Sequence, residues 1–434
     1  MAATAAIFGS SSADPVDRGE DVLRDLDAAR AHVAATALRS VPPGPVGLEL
    51  EAHLVDLGAP ATRVPWDRVT AAVAALPPLP GGSRVTLEPG GQVELSGPPL
   101  ADVTAAVSAL RDDTDVVRTG LRAAGLGLAH LGADPCRPAR RVSPGPRYTA
   151  MEEHFAAVGC LAAGAAMMSS TASLQVNLEA GPASGWAERV ARAHALGPVL
   201  VAVSACSPML AGRETGWRSS RQRVWGEVDQ SRCGPLLGRD APAAEWAQYA
   251  LAAPVMLVRD RSGRVAPVRG RTSFATWVTG GRLGGRRPTA ADLDYHLTTL
   301  FPPVRLRGFL EIRYLDAAPR PWWPALAAVT TTLLDVPAAA DAAAAAAGPV
   351  AGAWDRAARA GLADPALHTA AVACLDAAAR HAPAGLDREV AALAELVGRG
   401  SSPGDELLRT ARRAGATGAL LAATRDPEEQ RCPT

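Results

Sequence analysis

Lysine is absent from this chain of 434 residues, so all 44 of its basic side chains are arginines. The absence excludes enzymes that place a P-loop lysine on phosphate, form a lysine Schiff base with a carbonyl or pyridoxal phosphate, or use the strand lysine of protein kinases. The 44 acidic residues balance the arginines. A net charge near zero argues against a nucleic-acid partner, because such proteins usually concentrate positive charge.

Cysteine is also scarce, and its six copies form neither a CxxC pair nor a zinc-finger spacing. In so long a chain this favours a reducing compartment over a disulfide scaffold. No basic region precedes the apolar residues at the N-terminus, and the uncharged stretches 159–178 and 193–212 contain polar alternation or proline. The sequence therefore predicts a cytoplasmic protein with no membrane partner.

Hydrophobic periodicity predicts a mixture of helices and strands. We expect helices over 19–40, 65–76 and 100–125, one starting near residue 151, one long helix over 186–206, and alanine-rich helices beyond residue 322. Strands are predicted over 46–57, in two short pieces around the Pro-Gly-Gly turn at 89–91, and over 170–181, and residues 305–319 are predicted to form one strand followed by a turn. Residues 1–18 are expected to be disordered.

The predicted strands share a polar face. Because side chains alternate along a strand, Glu49 and Glu51 lie on one face, as do Gln92 and Glu94, and Glu311 and Arg313. Residues 173–179 place Gln175 and Asn177 opposite an apolar back. One interpretation is an ordinary antiparallel sheet with one solvated face.

The carboxylates on this face favour a second interpretation. Residues two apart on a strand are about 7 Å apart, and like charges at that distance repel unless a cation lies between them or one is protonated. Oxygen ligands without histidine or cysteine suit Mg²⁺ or Mn²⁺. Arg313 could hold a phosphate oxygen pair with its planar fork. The pattern therefore indicates ATP-dependent chemistry on a concave sheet.

An arginine- and tryptophan-rich stretch covers residues 213–234. It is either a surface loop with solvated arginines or a flap whose arginines bind carboxylate or phosphate. Gly125 and Gly127 begin a dinucleotide-loop pattern, but His130 stands where a third glycine is required, so that interpretation is rejected.

Six segments occur in an order that resembles the glutamate–cysteine ligase family of the plant and proteobacterial type. They are GLELE, LEPGGQVELSGPP, RYTAMEEHF, STASLQVNLE, SSRQRVW, and DYHLTTLFPPVRLRGFLEIRYLDAAP. The resemblance covers roughly residues 46–320, is loose beyond about 330, and is nearest to the bacterial branch that makes γ-glutamylcysteine for ergothioneine synthesis. It implies an α+β fold like that of glutamine synthetase, in which helices back a curved, mostly antiparallel sheet that forms a funnel.

The resemblance also implies the ligands and the site. The ligands would be ATP, Mg²⁺ (or Mn²⁺), L-glutamate and L-cysteine. Arg313 and Glu311 would be catalytic, and Arg307 stands where plant members often have lysine. The metal ligands would be Glu49, Glu51, Glu88, Glu94 and Glu311, and the substrates would lie near Arg147, Tyr148, Gln175, Asn177, Arg221, Trp225 and Arg232.

The implied activity is ligation of glutamate to cysteine through an acyl phosphate, with residues 19–330 as the catalytic domain and 331–434 as a helical region packed on it. We expect a monomer or weak homodimer. Three alternatives stay open: a ligase of the same fold for another amine, a non-catalytic metal- or nucleotide-binding homologue, and a metal-dependent hydrolase.

Overall fold

Helices surround a central antiparallel sheet in the computed structural model of the chain, which describes residues 22–236, 240–260 and 262–425. The predicted disordered segment 1–18 lies outside these residues. The strands are β1 (Val46–Asp56), β2 (Arg84–Leu87), β3 (Val93–Ser96), β4 (Leu126–Ala129), β5 (Ser173–Leu178), β6 (Met209–Leu210), β7 (Arg213–Glu214), β8 (Leu257–Arg259), β9 (Val265–Pro267), β10 (Val304–Leu306) and β11 (Leu310–Asp316).

The helices account for most of the remaining chain. They are α1 (Leu26–Ala37), α2 (Trp66–Ala74), α3 (Val103–Ala123), α4 (Pro146–Ala157), α5 (Leu161–Ser170), α6 (Trp186–Ala195), α7 (Gly197–Ser204), α8 (Ser220–Val228), α9 (Gln230–Cys233), α10 (Pro242–Ala252), α11 (Phe274–Val278), α12 (Ala290–Leu297), α13 (Trp323–Asp335), α14 (Pro337–Ala347), α15 (Trp354–Ala360), α16 (Pro365–Arg380), α17 (Asp387–Gly398) and α18 (Pro403–Ala422).

The main sheet has seven strands in the order β10-β11-β5-β1-β3-β2, with β4 paired to the end of β1. Every pairing is antiparallel. The apolar residues of β1 alternate with its glutamates, and Leu48 and Leu50 are 1% exposed. The back of the sheet therefore belongs to the core, where α3, α7 and α13 pack on it. The predicted α+β class with an antiparallel sheet is confirmed.

Two element predictions were wrong, and glycine explains both. The one strand expected within residues 305–319 is a hairpin, because Gly308 adopts a φ of 83° between β10 and β11 and lets the chain reverse there. The long helix expected over 186–206 is divided into α6 and α7 at the Gly197-Pro198 pair. Proline at the second position of α7 suits a helix start, since its missing N–H would have no partner there.

Strand β4 was not predicted. Its four residues are buried, and they pair with β1 from His53 to Asp56. A run as short as Leu-Gly-Leu-Ala carries too little periodicity to be recognised. The strand matters for the site, because it extends the sheet beyond the carboxylate-bearing part of β1.

The alanine-rich C-terminal part folds as α13–α18. Helix α13 packs against α3 and β5, and α16 packs against α7, so these helices share the core that lies behind the sheet. No single helix in the described ranges is long and apolar enough to cross a membrane. Helix α13 and the segment Pro337–Val350, which contains α14, together reach that length, but the chain bends by 96° between them.

The support that α7 gives to β11 leads to a stability prediction. A Cβ added at Gly197 would lie 1.9 Å from the Trp354 ring, which itself packs edge-on against Tyr314 of β11. Gly197→Ala should therefore destabilise the protein by about 1–3 kcal/mol, although alanine is intrinsically the better helix former. Urea unfolding measures the change. Gly398→Ala, at the end of α17 with open space around it, is the control. Equal stability of the two variants would contradict the proposed clash.

Candidate active site

A cavity of about 290 Å³ opens on the polar face of the sheet. Strands β1, β3 and β5 form its floor, and α4, α8 and the β10–β11 hairpin contribute to its walls. Most of the predicted site residues line it: Glu49, Glu51, Glu88, Glu94, Arg147, Tyr148, Gln175, Trp225 and Arg313. The strand pattern therefore brought chemically related residues from distant parts of the chain to one place.

The four glutamates that line the cavity form a group that we call the carboxylate face: Glu49, Glu51, Glu88 and Glu94. Glu51 and Glu94 are direct cross-strand neighbours on β1 and β3, an arrangement that is unfavourable for two like charges. The hydrogen bonds that Glu51 and Glu94 accept come from neutral groups. Ser173 donates its N–H and hydroxyl to Glu51, both at 2.8 Å, and hydroxyls on β2 and β3 donate to Glu94.

The negative charge of this face is not balanced by neighbouring cations, and the pKa values of Glu49 and Glu88 reflect this. Burial, followed by the charges of Glu94 and Glu311, raises the pKa of Glu49 to about 7. Burial and repulsion from Glu94 and Glu51 raise the pKa of Glu88 well above its ordinary value. Within the described residues, no arginine or histidine comes within ion-pair distance of any of the four. Such a face holds protons at neutral pH or binds a cation.

The donor set fits a hard divalent cation. Carboxylate oxygens on a rigid sheet, with hydroxyl and amide groups behind them, are the ligands that Mg²⁺ and Mn²⁺ prefer. In the described part of the chain, no three carboxylate, imidazole or thiol groups already converge at metal-binding distances. The side chains would therefore have to turn toward an ion on binding.

Glu311 differs from the other four glutamates. It is fully buried, and its carboxylate receives Arg305 Nη2 at 2.9 Å, Arg307 Nη1 at 3.1 Å and Arg313 Nη1 at 3.2 Å. Burial alone would raise its pKa, but the three guanidinium groups hold that pKa well below its ordinary range. Glu311 is thus a permanent anion that anchors an arginine cluster. Its role as a fifth metal ligand stays a prediction, which would require it to exchange an arginine for the ion.

The arginine cluster on Glu311 consists of Arg305, Arg307 and Arg313, and Arg313 is the member that also contacts a residue next to the carboxylate face. Its Nη1 donates to the side-chain oxygen of Gln175 at 2.6 Å, and that residue lies opposite Glu49 across β5 and β1. Burial would lower its pKa, but Glu311, Glu49 and Glu51 together raise it. Arg313 is therefore a fixed, oriented cation at the floor of the cavity.

The arginine- and tryptophan-rich stretch is not an exposed loop, because it folds mainly into α8 and α9. Arg221 is 3% exposed and donates to the backbone oxygen of Arg313 at 2.7 Å. Its guanidinium lies 5.8 Å from the Trp225 ring, which contacts Phe301 edge-on at 5.5 Å. These three side chains line a smaller extension of the cavity next to Arg313. That Arg221 and Trp225 lie near the substrates stays a prediction, and the structure places both side chains beside Arg313.

Arg147 and Tyr148 lie at the start of α4, on the outer rim of the cavity. Arg147 donates to the oxygens of Thr298 at 3.0 and 3.2 Å and stacks over the Tyr295 ring. The negative charge of Glu88, together with burial, raises the pKa of Tyr148. Its hydroxyl therefore stays protonated and can donate a hydrogen bond to an anionic substrate.

The structure does not bring Arg232 to the cavity. Its side chain is completely buried, and its guanidinium donates to the backbone oxygens of Thr299 and Pro254 and to Asp229. These bonds join α9 to the segments before β8 and β10, so Arg232 positions other elements and does not contact a ligand there. Asn177 does not line the cavity either, but it donates to Glu49 at 3.3 Å from β5.

Several cavity residues were not predicted from the sequence, and Arg305 is the most important of them. It pairs with Glu311 directly across the β10–β11 hairpin. The signal was present in the charge pattern, but recognising it required the turn at Gly308. Arg84, Phe301 and Thr298 also line the cavity. They come from an edge strand and a loop, and nothing in their local sequence indicates a site.

The raised pKa of Glu49 predicts how stability depends on pH. Between about pH 4.5 and 7, the folded metal-free protein holds a proton that the unfolded chain has released, so stability must fall as pH rises through this range. We expect a loss of about 2 kcal/mol in EDTA, and little loss with saturating Mg²⁺. Chemical unfolding at several pH values measures it. Glu49→Gln should flatten the metal-free dependence, and an unchanged slope in that variant would contradict the assignment.

An antiparallel sheet whose cavity joins clustered carboxylates to oriented arginines is a candidate enzyme site. The particular family follows from comparison with known proteins: the model of glutamate–cysteine ligase family 2 (GCS2) matches residues 45–425. The chain therefore belongs to this ligase family. The match extends through α18.

Named relatives agree with this family. The chain is 58% identical over 381 residues to the glutamate–cysteine ligase EgtA of Mycolicibacterium smegmatis, covering 87% of this chain and 90% of the relative. It is 52% identical over 410 residues to EgtA of Mycobacterium tuberculosis, covering 94% of each. A solved glutamate–cysteine ligase from Francisella tularensis, in complex with AMP, superposes with a TM-score of 0.56 at 12% identity and covers 90% of this chain and 89% of that one. That similarity supports the fold alone.

Proposed function

We propose that the protein is a glutamate–cysteine ligase that joins the γ-carboxyl group of L-glutamate to the amine of L-cysteine. The products are γ-glutamylcysteine, ADP and phosphate, and the dipeptide serves ergothioneine synthesis. Membership of the ligase family and the two EgtA relatives support the reaction. We also propose a cytoplasmic monomer or weak homodimer, in which residues 19–330 form the catalytic domain and 331–434 pack on it.

One observation carries the proposal: the carboxylate face and the arginine cluster meet in a single cavity at Arg313. A phosphoryl-transfer site needs cations on both sides of the transferring group, because its charge is spread over three oxygens. Arg313 supplies one side and is held in place by Glu311 and Gln175. The carboxylate face is negatively charged, so it can place a cation on the other side only by binding a divalent metal ion.

In the first step, a γ-carboxylate oxygen of glutamate attacks the γ-phosphorus of ATP. A carbon–oxygen–phosphorus linkage forms, and the bond to ADP breaks. The protein contributes position and charge, since this transfer needs little covalent assistance. Arg313 and Arg305 stabilise the phosphoryl oxygens, and Gln175 fixes the orientation of the Arg313 fork.

In the second step, the cysteine amine attacks the acyl carbon, forms the carbon–nitrogen bond and expels phosphate. The phosphate leaves with the oxygen that came from glutamate, and the amine loses a proton. Cysteine is proposed to bind in the main cavity with one end at the small extension beside Arg313, formed by Arg221, Trp225 and Phe301, because this extension combines a cation for the carboxylate with an apolar wall.

The carboxylate face would hold Mg²⁺ or Mn²⁺ through Glu49, Glu51, Glu88 and Glu94, with Glu311 as a further ligand. The bound ion supplies the charge that neutralises phosphate oxygens. The residues behind this face keep the carboxylates in place, and Ser173 and Gln175 both donate to Glu51.

Release of ADP with and without each amino acid tests the proposal and its alternatives. We expect rapid release only when MgATP, glutamate and cysteine are all present, with γ-glutamylcysteine identified by mass spectrometry. A faster rate with another amine would indicate a different ligase of this fold. Release independent of both amino acids would indicate a hydrolase, and no release at all would indicate a non-catalytic homologue. Glu395→Gln on the exposed face of α17 is the control for handling losses.

A further inference from the structure

The turn between β2 and β3 carries Glu88 and is closed by two backbone hydrogen bonds. The Glu88 N–H donates to the backbone oxygen of Gln92 at 2.9 Å, and the Gly91 N–H donates to the backbone oxygen of Glu88 at 2.9 Å. These bonds fix the backbone of Glu88 relative to that of Gln92. A contact that holds Gln92 in place therefore also holds the backbone from which the Glu88 carboxylate projects.

The side chain of Gln92 attaches this turn to the end of α5. It is 2% exposed, and its Nε2 donates to the backbone oxygen of Thr171 at 2.9 Å and to that of Met168 at 3.4 Å. Both acceptors lie in the last turn of α5 or at its C-cap, where backbone oxygens lack partners within the helix. The amide nitrogen of Gln92 thus binds the protein backbone and is not free for a ligand.

Two further contacts join the same turn to the same helix end. The side chain of Arg63 is 5% exposed, and it donates to the backbone oxygen of Gly90 at 3.4 Å and to the hydroxyl of Ser170 at 2.8 Å. Gly90 lies directly against the helix backbone, because a Cβ built on it would be 2.3 Å from the oxygen of Ser169. Its φ is not in the left-handed region, so this position needs glycine for the close approach alone.

The end of α5 also holds a second carboxylate of the cavity. Here the chain passes from α5 into β5, where Ser173 donates its N–H and its hydroxyl to Glu51, both at 2.8 Å. Residues 168–173, which we call the α5–β5 junction, therefore contact the Glu88 turn and the carboxylate of Glu51. Mg²⁺ requires nearly ideal octahedral geometry with oxygen ligands at about 2.0–2.1 Å, so its affinity depends on how two such carboxylates are spaced.

We propose that Gln92 is a positioning residue for a divalent-metal site, because it anchors the Glu88 turn to the α5–β5 junction and so sets Glu88 relative to Glu51. This inference rests on the metal role proposed above for the carboxylate face. Gln92 acts through Glu88 and supplies no ligand oxygen, since its own Oε1 is buried beside Gly90.

The turn has another attachment that should preserve the fold when Gln92 is changed. The N–H groups of Val142 and Ser143 donate to the backbone oxygen of Pro89 at 2.8 and 3.0 Å. Loss of the Gln92 hydrogen bonds should therefore let the turn shift without releasing it. The expected consequence is weaker metal binding in a folded protein.

The test is binding of Mn²⁺ to the full-length protein without substrates, with the free ion measured by electron paramagnetic resonance. Gln92→Met keeps the size of the side chain but loses the donor, and it should weaken Mn²⁺ binding about 10-fold or more. Gly90→Ala keeps every hydrogen-bonding group but pushes the turn away from Ser169, and it should weaken binding to a similar extent. Gln248→Met, exposed on α10, and Gly398→Ala, with open space around it, are the matched controls.

A third variant tests the same anchor from the other side. Arg63→Lys keeps the charge that faces Asp134 but loses the fork that reaches both Gly90 and Ser170. It should weaken Mn²⁺ binding at least three-fold. Circular dichroism verifies that each variant is folded, and Arg63→Lys replaces Gly90→Ala in the comparison if that variant does not fold.

Steady-state kinetics distinguishes positioning from a general structural role. Because added metal refills a weakened site, the kcat of Gln92→Met at saturating Mn²⁺ should be within about three-fold of the wild type, while the Mn²⁺ concentration for half-activation rises with the dissociation constant. Unchanged Mn²⁺ affinity with a lower kcat or a lower stability would overturn the proposal. Weak binding in Gln92→Met with normal binding in Gly90→Ala would also overturn it, because Gln92 would then be a direct ligand.

Failure of this inference is distinguishable from failure of the proposed function. A wild-type protein that binds no Mn²⁺ would overturn the proposed metal site and this inference with it. Mn²⁺ binding that is equal in the wild type and in all three variants would overturn this inference alone, since the metal site itself would be intact.

Discussion

Replacing Arg313 by lysine should reduce kcat about 100-fold, equivalent to about 2.7 kcal/mol of transition-state stabilisation. The guanidinium is held by its Nη1, which lies 2.6 Å from Gln175 and 3.2 Å from Glu311, and Arg313 lines the cavity. Lysine keeps one charge but loses the planar pair of donors. Because the contact strengthens as the phosphoryl group transfers, the loss should fall on kcat and leave the KM for ATP nearly unchanged.

Steady-state kinetics with varied ATP at saturating glutamate and cysteine measures the effect. Arg399→Lys, on the exposed end of α17, is the matched control and should behave as the wild type. A variant of Arg313 with unchanged kcat and a raised KM would show that the arginine binds ground and transition states equally. It would contradict the role proposed for it.

Glu88→Gln and Glu94→Gln should each reduce turnover by about 100- to 1,000-fold at fixed Mg²⁺. Glutamine has nearly the same shape but cannot supply the negative charge that a divalent cation requires. The fold should survive, because the apolar back of β3 is untouched and Leu95 stays in the core. In EDTA the variants should be at least as stable as the wild type, since Glu94 raises the pKa of Glu49, Glu51 and Glu88 by repulsion, and Glu88→Gln removes a carboxyl group whose own pKa is raised in this way.

Two measurements separate this loss from misfolding. Unfolding curves in EDTA report stability, and activity titrations with Mg²⁺ and Mn²⁺ report metal use. Glu395→Gln is again the control, because it changes the same group at an exposed ion pair. Near-normal turnover in both cavity variants at saturating metal would contradict the carboxylate face as the metal site.

The carboxylate face could be predicted from sequence because it depends on the simplest rule of a strand. Once β1 is recognised, Glu49 and Glu51 must share a face, because alternate residues of a strand point to the same side. The apolar residues that alternate with them lie on the opposite face. Strands β3 and β5, which pair with β1, were found in the same way, whereas β4 was not. The register that sets Glu51 opposite Glu94 is a tertiary fact, which periodicity alone does not specify.

Arginine roles were much harder to predict, because a long cationic side chain serves either a ligand or the protein. Arg232 matches a motif of the family, yet its guanidinium donates hydrogen bonds to backbone oxygens within the core. Arg305 was not among the predicted site residues, yet it is one of the arginines that contact Glu311. The difference depends on where the chain turns at Gly308 and where α9 packs, and neither is encoded in the local pattern of charge.

The most direct test of the central claim is oxygen transfer from glutamate to phosphate. The enzyme is incubated with MgATP, cysteine and glutamate labelled with ¹⁸O in both γ-carboxylate oxygens, and the phosphate released is analysed by mass spectrometry. An acyl phosphate requires one ¹⁸O atom in each phosphate, formed together with one γ-glutamylcysteine. Phosphate that carries no label while γ-glutamylcysteine accumulates would contradict the acyl-phosphate route, and labelled phosphate without the dipeptide would contradict cysteine as the acceptor.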